Sequence, residues 1–442
     1  MSFLDDWFAS IYSSLSILLR VRSEKCFVVF VVAFAVFTTV EAYSGHEVVP
    51  ILPTILRERI AVDEQDSEHD SSHIASTGVF AQTHTVQIWN SILIGAYGGA
   101  MLVASSAAIY TAGIALLFDT VGHEGICQAL GWLSPAMVLG SFLGPSIGGL
   151  LYSSVGTSAV FGLCYSLITL EICLLLIVEK TSTSPPLLFE ADLHNNYGTI
   201  ADAEVFTIDS ESEFEFLANS PKPEILLLQL LPLPRFLIAL LGWLAITTLL
   251  TAFDAILPLF VQKNFGWSTI GSGLIFPPLF LPSLLVTPIS VWTINTLPKS
   301  SCLVATVGFL FSAPIFIFLT LVSDNSLYSQ ILLVVLLALI GVGLSISGPP
   351  LAKEIAGIVF DIEEEYPGVF GERGASVWVF GLFGSMFALG SSLGPIVAGV
   401  VRAMFGWEMM AWALGVVCVI VGIGVGIMGF RGRVGEESGG VE

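Results

Sequence analysis

Leu139-Gly140-Ser141-Phe142-Leu143-Gly144-Pro145, with Gly149 and Gly156 beyond it, returns later in the chain as Leu389-Gly390-Ser391-Ser392-Leu393-Gly394-Pro395, with Gly399 and Gly406 beyond. Eight identities at one offset of 250 residues mark two halves built on one plan. A second echo pairs Thr38-Thr39-Val40-Glu41-Ala42 with Thr251-Ala252-Phe253-Asp254-Ala255. Each is followed by a Leu-Pro pair, Leu52-Pro53 and Leu257-Pro258, and each sets a carboxylate within the first apolar run of its half.

The surroundings of these repeats are hydrocarbon. Of 442 residues, 55% are hydrophobic and only 12% charged, and mean hydropathy is +0.87. A soluble chain averages about 25% charged residues, so this one lacks the polar surface to coat a globule in water. The lipid bilayer is its expected solvent. The net charge of -21 rules against a nucleic-acid partner, which needs a basic footprint. Most of that charge falls in three stretches, 57–85, 179–234 and 353–373, read as loops.

A helix needs roughly 20 mainly apolar residues to cross a bilayer. Ten such runs are present: 27–54, 88–117, 130–152, 158–178, 235–261, 270–293, 302–323, 330–349, 375–401 and 409–430. None alternates as barrel strands do. With the N-terminus inside, eleven of the 15 Lys and Arg residues lie on the cytoplasmic side and four outside, namely Arg57, Arg59, Lys263 and Arg402. That bias favours both termini in the cytoplasm. It gives a cytoplasmic segment 1–25, an N-terminal bundle 26–178, an acidic cytoplasmic linker 179–234, a C-terminal bundle 235–430 and a cytoplasmic tail 431–442.

The two repeats do not share an offset. Glu41 and Asp254 are 213 residues apart, so the first half is 37 residues shorter between its landmarks. Allowing for its longer outer loop at 57–87 and its shorter loop at 119–128, the missing membrane part is about 45 residues, near two spans of about 20 plus a turn. Ten helices therefore stand where the repeat calls for twelve. Losing a pair leaves the direction of every later span unchanged.

On these residues the chain resembles the major facilitator superfamily, and within it the fungal drug:proton antiporters related to vesicular amine transporters. Gly140-x-x-x-Gly144-Pro145-x-x-Gly148-Gly149 fits the antiporter motif of the family's fifth helix position for position. Thr38 to Pro53 is similar to its first helix, with Glu41 where Asp is usual, and Thr251 to Phe265 is similar to its seventh. By the same resemblance, 88–105 matches the start of helix two and 107–120 the end of helix four, with the seam near Ser105-Ser106. The family's G-x-x-x-D-R-x-G-R-R loop is absent, for the chain has no Asp-Arg pair. The resemblance implies an all-α, two-bundle fold and bending at Gly140, Gly144, Pro145, Gly148 and Gly149 and at their counterparts Gly390, Gly394, Pro395 and Gly399.

Ionisable residues inside a span cost about 2.5–3.5 kcal/mol on insertion scales and are functional candidates by default. Glu41 and Asp254 are the leading proton-coupling or substrate-binding candidates, and Glu171 is a third. A carboxylate sheltered from bulk water can exchange a proton near neutrality. Glu171 is close enough to its span's cytoplasmic end to reach the interface or bond to a neighbouring helix. His46 and Glu47 fit a mouth facing outer water. Most tryptophans fall near span ends, as interfacial anchors do. The six cysteines form no C-x-x-C pair, so neither a metal nor a cofactor is expected; the absent P-loop disfavours ATP-driven transport, and without a nucleophile–base pairing within the spans no enzymatic chemistry is expected.

The sequence thus predicts a secondary transporter exporting a small organic molecule, a drug, toxin or metabolite, in exchange for protons. The plasma membrane and a vacuole or vesicle fit equally well. The absent helix pair leaves a second reading open, a non-transporting truncated relative or a mis-spliced form of such a transporter.

Overall fold

The computed structural model describes residues 31, 34, 49–56, 85–96, 136, 138–177, 233–296, 301–365, 370 and 374–439. Glu41, His46, Glu47, the Ser105-Ser106 seam, the segment 1–25 and nearly all of the linker lie outside the described residues. What is described is mainly helical. After a short helical turn at 52–56, the helices in chain order are α1 (85–96), α2 (Val138–Val155), α3 (Thr157–Ile177), α4 (Pro234–Asn264), α5 (Thr269–Gly273), α6 (Pro277–Thr296), α7 (Ser301–Phe318), α8 (Leu327–Glu365), α9 (374–405) and α10 (407–439).

Among the described residues seven helical stretches are long and apolar enough to cross a membrane. The last, Gly381–Phe430, has 50 residues and breaks at Gly406, leaving length for a crossing on each side. Eight of the ten expected runs therefore fall on described helices, and the first two lie mostly outside them.

Solvent preference is written on the surface. Leu285 is 74% exposed, Phe430 69% and Trp292 68%, and the outer faces of α6, α7, α8 and α10 carry further large apolar side chains. Water would not tolerate such a coat, whereas lipid matches it. The enclosed helix is α4, in which every residue from Thr251 to Val261 is buried.

Where helices meet closely, the residues are small. A side chain on Gly399 of α9 would strike Ser91 of α1, and one on Gly95 of α1 would strike Ile396 and, at 2.8 Å, the Ser392 carbonyl. A Cβ on Gly149 of α2 would lie 2.6 Å from the Thr269 carbonyl of α5, and one on Gly273 would collide with the Pro145 carbonyl. These two crossings join the halves, and Gly149 and Gly399 are the repeat's counterparts at 250 residues' separation. Inside the second half, Gly390 and Gly394 seat α9 on Thr247, Thr248 and Thr251 of α4. Gly308 and Gly343 bring α7 against α8, where Ser347 Oγ donates to the Ala305 carbonyl at 3.0 Å. Without water to drive burial, such contacts hold helices together by packing and local hydrogen bonds.

The repeat extends to the turns. Gly156 separates α2 from α3 with φ 99°, and Gly406 separates α9 from α10 with φ 86°. Both are left-handed conformations that a side chain resists, so one glycine turns each pair of helices.

One expectation shifts, at the acidic stretch 353–373. In place of a loop from 353, α8 continues through Pro349-Pro350 to Glu365. Ala, Lys and Glu are strong helix formers, and neighbours hold the segment: Lys353 Nζ donates to the Ile294 carbonyl at 3.3 Å, and Glu354 accepts from Arg235 Nη2 at 2.7 Å. At the other end of the chain, the stretch expected as a tail from 431 is helical to 439.

Gly149→Val should lower stability in detergent by about 1–3 kcal/mol, because a branched side chain forces α2 away from the Thr269 carbonyl. Gly162→Val, at a position with open space around it, should leave the melting temperature nearly unchanged. Thermal unfolding of the two variants side by side checks both.

Candidate functional site

The site is built on the C-terminal half of α4. Asp254 lies twenty residues from Pro234 and ten from Asn264, about 30 Å and 15 Å along the axis. It is 4% exposed, and the residues on both sides of it are buried. At 100° per residue it shares a stripe with Trp243, Thr247, Thr251 and Pro258. The lower part of that stripe faces α9. Thr247 Oγ1 lies 3.3 Å from the Met386 carbonyl and Thr251 Oγ1 2.9 Å from the Gly390 carbonyl, while the Trp243 ring packs at 4.8 Å on Phe383.

Pro258 changes the backbone around Asp254. It has no N–H, so the Asp254 carbonyl loses its helical donor. Side chains from two other helices reach the next two carbonyls. Asn90 Nδ2 donates to the Ala255 carbonyl at 3.1 Å and Gln87 Nε2 at 3.2 Å, both from α1. Arg402 Nη1 of α9 donates to the Ile256 carbonyl at 2.6 Å.

The Arg402 guanidinium also lies over two rings, with Cζ 5.6 Å from the Phe260 centroid and 5.5 Å from that of Trp407. Those rings are stacked, 3.8 Å apart and 20° from parallel, and Trp407 Nε1 donates to the Leu319 carbonyl at 2.8 Å. A cation here is held by π faces and a peptide dipole. Trp407 thereby packs inside the protein, whereas Trp89, Trp292 and Trp412 are exposed as anchors would be.

The other candidates separate. Glu171 is 2% exposed and shares the buried stripe of α3 with Val160 and Cys164, so it does not snorkel to the surface. Gly140, Gly144, Pro145, Gly148 and Gly149 all lie on α2, whose Ser146 Oγ donates to the Phe142 carbonyl at 2.7 Å and reaches the Gly273 carbonyl at 3.4 Å. Their counterparts Gly390, Gly394, Pro395 and Gly399 lie on α9 against α4 and α1. Among the described residues no three His, Cys, Asp or Glu side chains gather as a metal-ligand set.

Four residues have roles that the sequence reading missed. Gln87, Asn90 and Ser91 stand at i, i+3 and i+4, one polar face at the start of an apolar run, and that spacing was the available signal. Arg402 was counted only as an outer positive charge. Its neighbours Phe405 and Trp407 hinted at an aromatic seat, but nothing local pointed to a carbonyl 146 residues earlier.

Residues 73–357 match the Major Facilitator Superfamily. The chain is 26% identical over 473 aligned positions to the MFS-type transporter ppzB of Metarhizium rileyi, covering 93% of this chain and 97% of that one. It is 26% identical over 307 positions to the MFS-type transporter SLC18B1 of Rattus norvegicus, covering 69% of this chain and 58% of the relative. Its fold is similar to that of the human organic anion transporter MFSD10, with a TM-score of 0.50 at 15% identity, covering 91% of this chain and 99% of that one.

Arg402→Leu should destabilise the protein by about 1–3 kcal/mol, since the Ile256 carbonyl loses its side-chain donor in a buried setting. Arg402→Lys should recover only part of that, because a point charge cannot lie flat on two rings. Thermal unfolding of the two variants in detergent measures the difference.

Proposed function

Because the chain belongs to the major facilitator superfamily, a family of non-enzymatic multi-pass membrane carriers for small substrates, we propose that it is a proton-coupled exporter of a small organic molecule working by alternating access. Asp254 and Glu41 are the proton-carrying carboxylates of this proposal. The observation that carries it is Asp254 itself, an acid enclosed in the one helix whose residues are buried without a gap from Thr251 to Val261. An ionisable group held there at an insertion cost of about 2.5–3.5 kcal/mol calls for a use. Reversible protonation is the use that matches a carboxylate among threonines and apolar side chains.

The two bundles 26–178 and 235–430, the acidic linker and the cytoplasmic termini complete the proposal. Between the halves, the paired crossings at Gly149 and Gly399 supply surfaces on which one bundle can rock against the other. Gly140, Gly144, Pro145 and Gly148, with Gly390, Gly394 and Pro395, are then the bending segments of α2 and α9.

A second reading is favoured by one observation. The Metarhizium rileyi relative aligns over 473 positions, more than this whole chain contains, so it carries residues that this chain lacks. That supports a missing helix pair and hence a truncated, non-transporting or mis-spliced form. Sequencing the transcript across Ser105-Ser106 separates the readings. An uninterrupted message supports the shortened carrier, and a skipped exon supports the artefact.

Transport is tested in proteoliposomes with an imposed proton gradient and amphipathic dyes, ethidium and rhodamine among them. Wild-type protein should accumulate dye against its gradient and stop when the proton gradient is collapsed. Asp254→Asn and Glu41→Gln should each cut gradient-driven flux at least about tenfold while sparing dye–dye exchange, because a neutral amide imitates a carboxyl that never releases its proton. Unchanged pH-dependent flux in both variants removes the proton-carrier role.

A further inference from the structure

We infer that the Ala255 carbonyl is one half of a latch between the two bundles, the other half being the side-chain amides of Gln87 and Asn90. This rests on the alternating-access reading above and adds what holds one of its states.

The Ala255 and Ile256 carbonyls, two buried points of the α4 backbone, take side-chain donors from other helices. The two are served differently. Ile256 O is met by Arg402, which belongs to the same half as α4 and travels with it. Ala255 O is met by Gln87 and Asn90, which lie on α1 in the other half. One bond is therefore permanent, and the other lasts only while the halves are together at this end.

The amide orientation is fixed by chemistry. A carbonyl only accepts, so both amides must turn their nitrogens to it. For Asn90, 0% exposed, that leaves Oδ1 buried without a hydrogen-bond partner among the described residues. Asn90 thus gives up one favourable contact to hold the carbonyl, an arrangement that a merely structural asparagine has no reason to adopt. The helices are also brought to the distance that the bonds need. Gly399 sits over Ser91 and Gly95 over Ile396, while Ser91 Oγ donates to the Gln87 carbonyl at 2.7 Å and accepts from Gln87 Nε2 at 3.3 Å, which steadies that amide. The second crossing at this end, α2 on α5, closes with it.

When the halves part, water replaces both amides on Ala255 O and reaches Asn90 Oδ1. The latch is then weak enough to open and strong enough to bias the resting state, as a carrier requires.

The test reads opening rather than transport. Ser272 lies buried on α5, beside Gly273, where α5 meets α2. Ser272→Cys is introduced, and its modification by a membrane-impermeant maleimide is followed at position 272 by peptide mass spectrometry. Gln87→Ala with Asn90→Ala should raise the labelling rate roughly tenfold, the scale expected when a buried carbonyl loses its donors. Ser91→Ala, which trims a side chain at the same crossing but removes no donor from Ala255 O, should raise it little. Should the alanine pair fail to fold, Gln87→Met with Asn90→Leu keeps the volume and removes only the donors. No rise in the variants that lack the donors, or an equal rise in Ser91→Ala, overturns the latch. Position 272 inert in wild type and in every variant overturns the latch and alternating access together, whereas reactivity that ignores the donors overturns the latch alone.

Discussion

A carbonyl inside a bilayer has no water to turn to, and the arrangement around α4 follows from that constraint. An unbroken helix satisfies it internally. Pro258 removes one internal donor from α4, and the two carbonyls that follow Asp254 take side-chain donors as well, from Gln87, Asn90 and Arg402 on α1 and α9, which lie 168, 165 and 146 residues away in sequence. Asp254 stands one turn before that proline. Its carbonyl is the one that loses a donor to the proline, and its carboxyl sits in a run of buried residues from Thr251 to Val261. A proline and an intramembrane acid therefore coincide in one turn of helix, where protein surrounds them.

The glycines bring those donors within reach. Amide side chains span a few ångströms, so α1 must lie close to α4 and α9, and Gly399 and Gly95 permit it. The same economy of side chain appears at Gly149 and Gly273 on the other side of the pseudo-symmetric pair. Packing in lipid rewards small residues at crossings, so one stripe serves stability and leaves surfaces smooth enough to slide. Rigidity sits elsewhere, in the Phe253–Phe316 stack at 5.8 Å and the Arg402–Phe260–Trp407 cluster, both within the second half.

Much of this was legible in the sequence because membrane spans are long, apolar and bounded. The repeat at 250 residues went further than spans. It paired Gly156 with Gly406, and both proved to be left-handed single-residue turns, and it paired Gly149 with Gly399, and both proved to be crossings between halves. Local composition misled at 350–365, where charge suggested a loop. Charge does not break a helix whose residues have high propensity and whose Glu354 finds Arg235. The long-range hydrogen bonds were illegible for a physical reason. Gln87, Asn90 and Arg402 acquire meaning only when folding brings them to carbonyls, and a carbonyl leaves no mark on the sequence.

The claim at the centre is that Asp254 takes up and releases a proton as the carrier turns over. Infrared difference spectroscopy on the reconstituted protein, with pH stepped across neutrality, reads this at the carboxyl itself. The account predicts a protonated-carboxyl band that disappears as pH rises and is missing from the spectrum of Asp254→Asn. A difference spectrum identical in wild type and Asp254→Asn would contradict it.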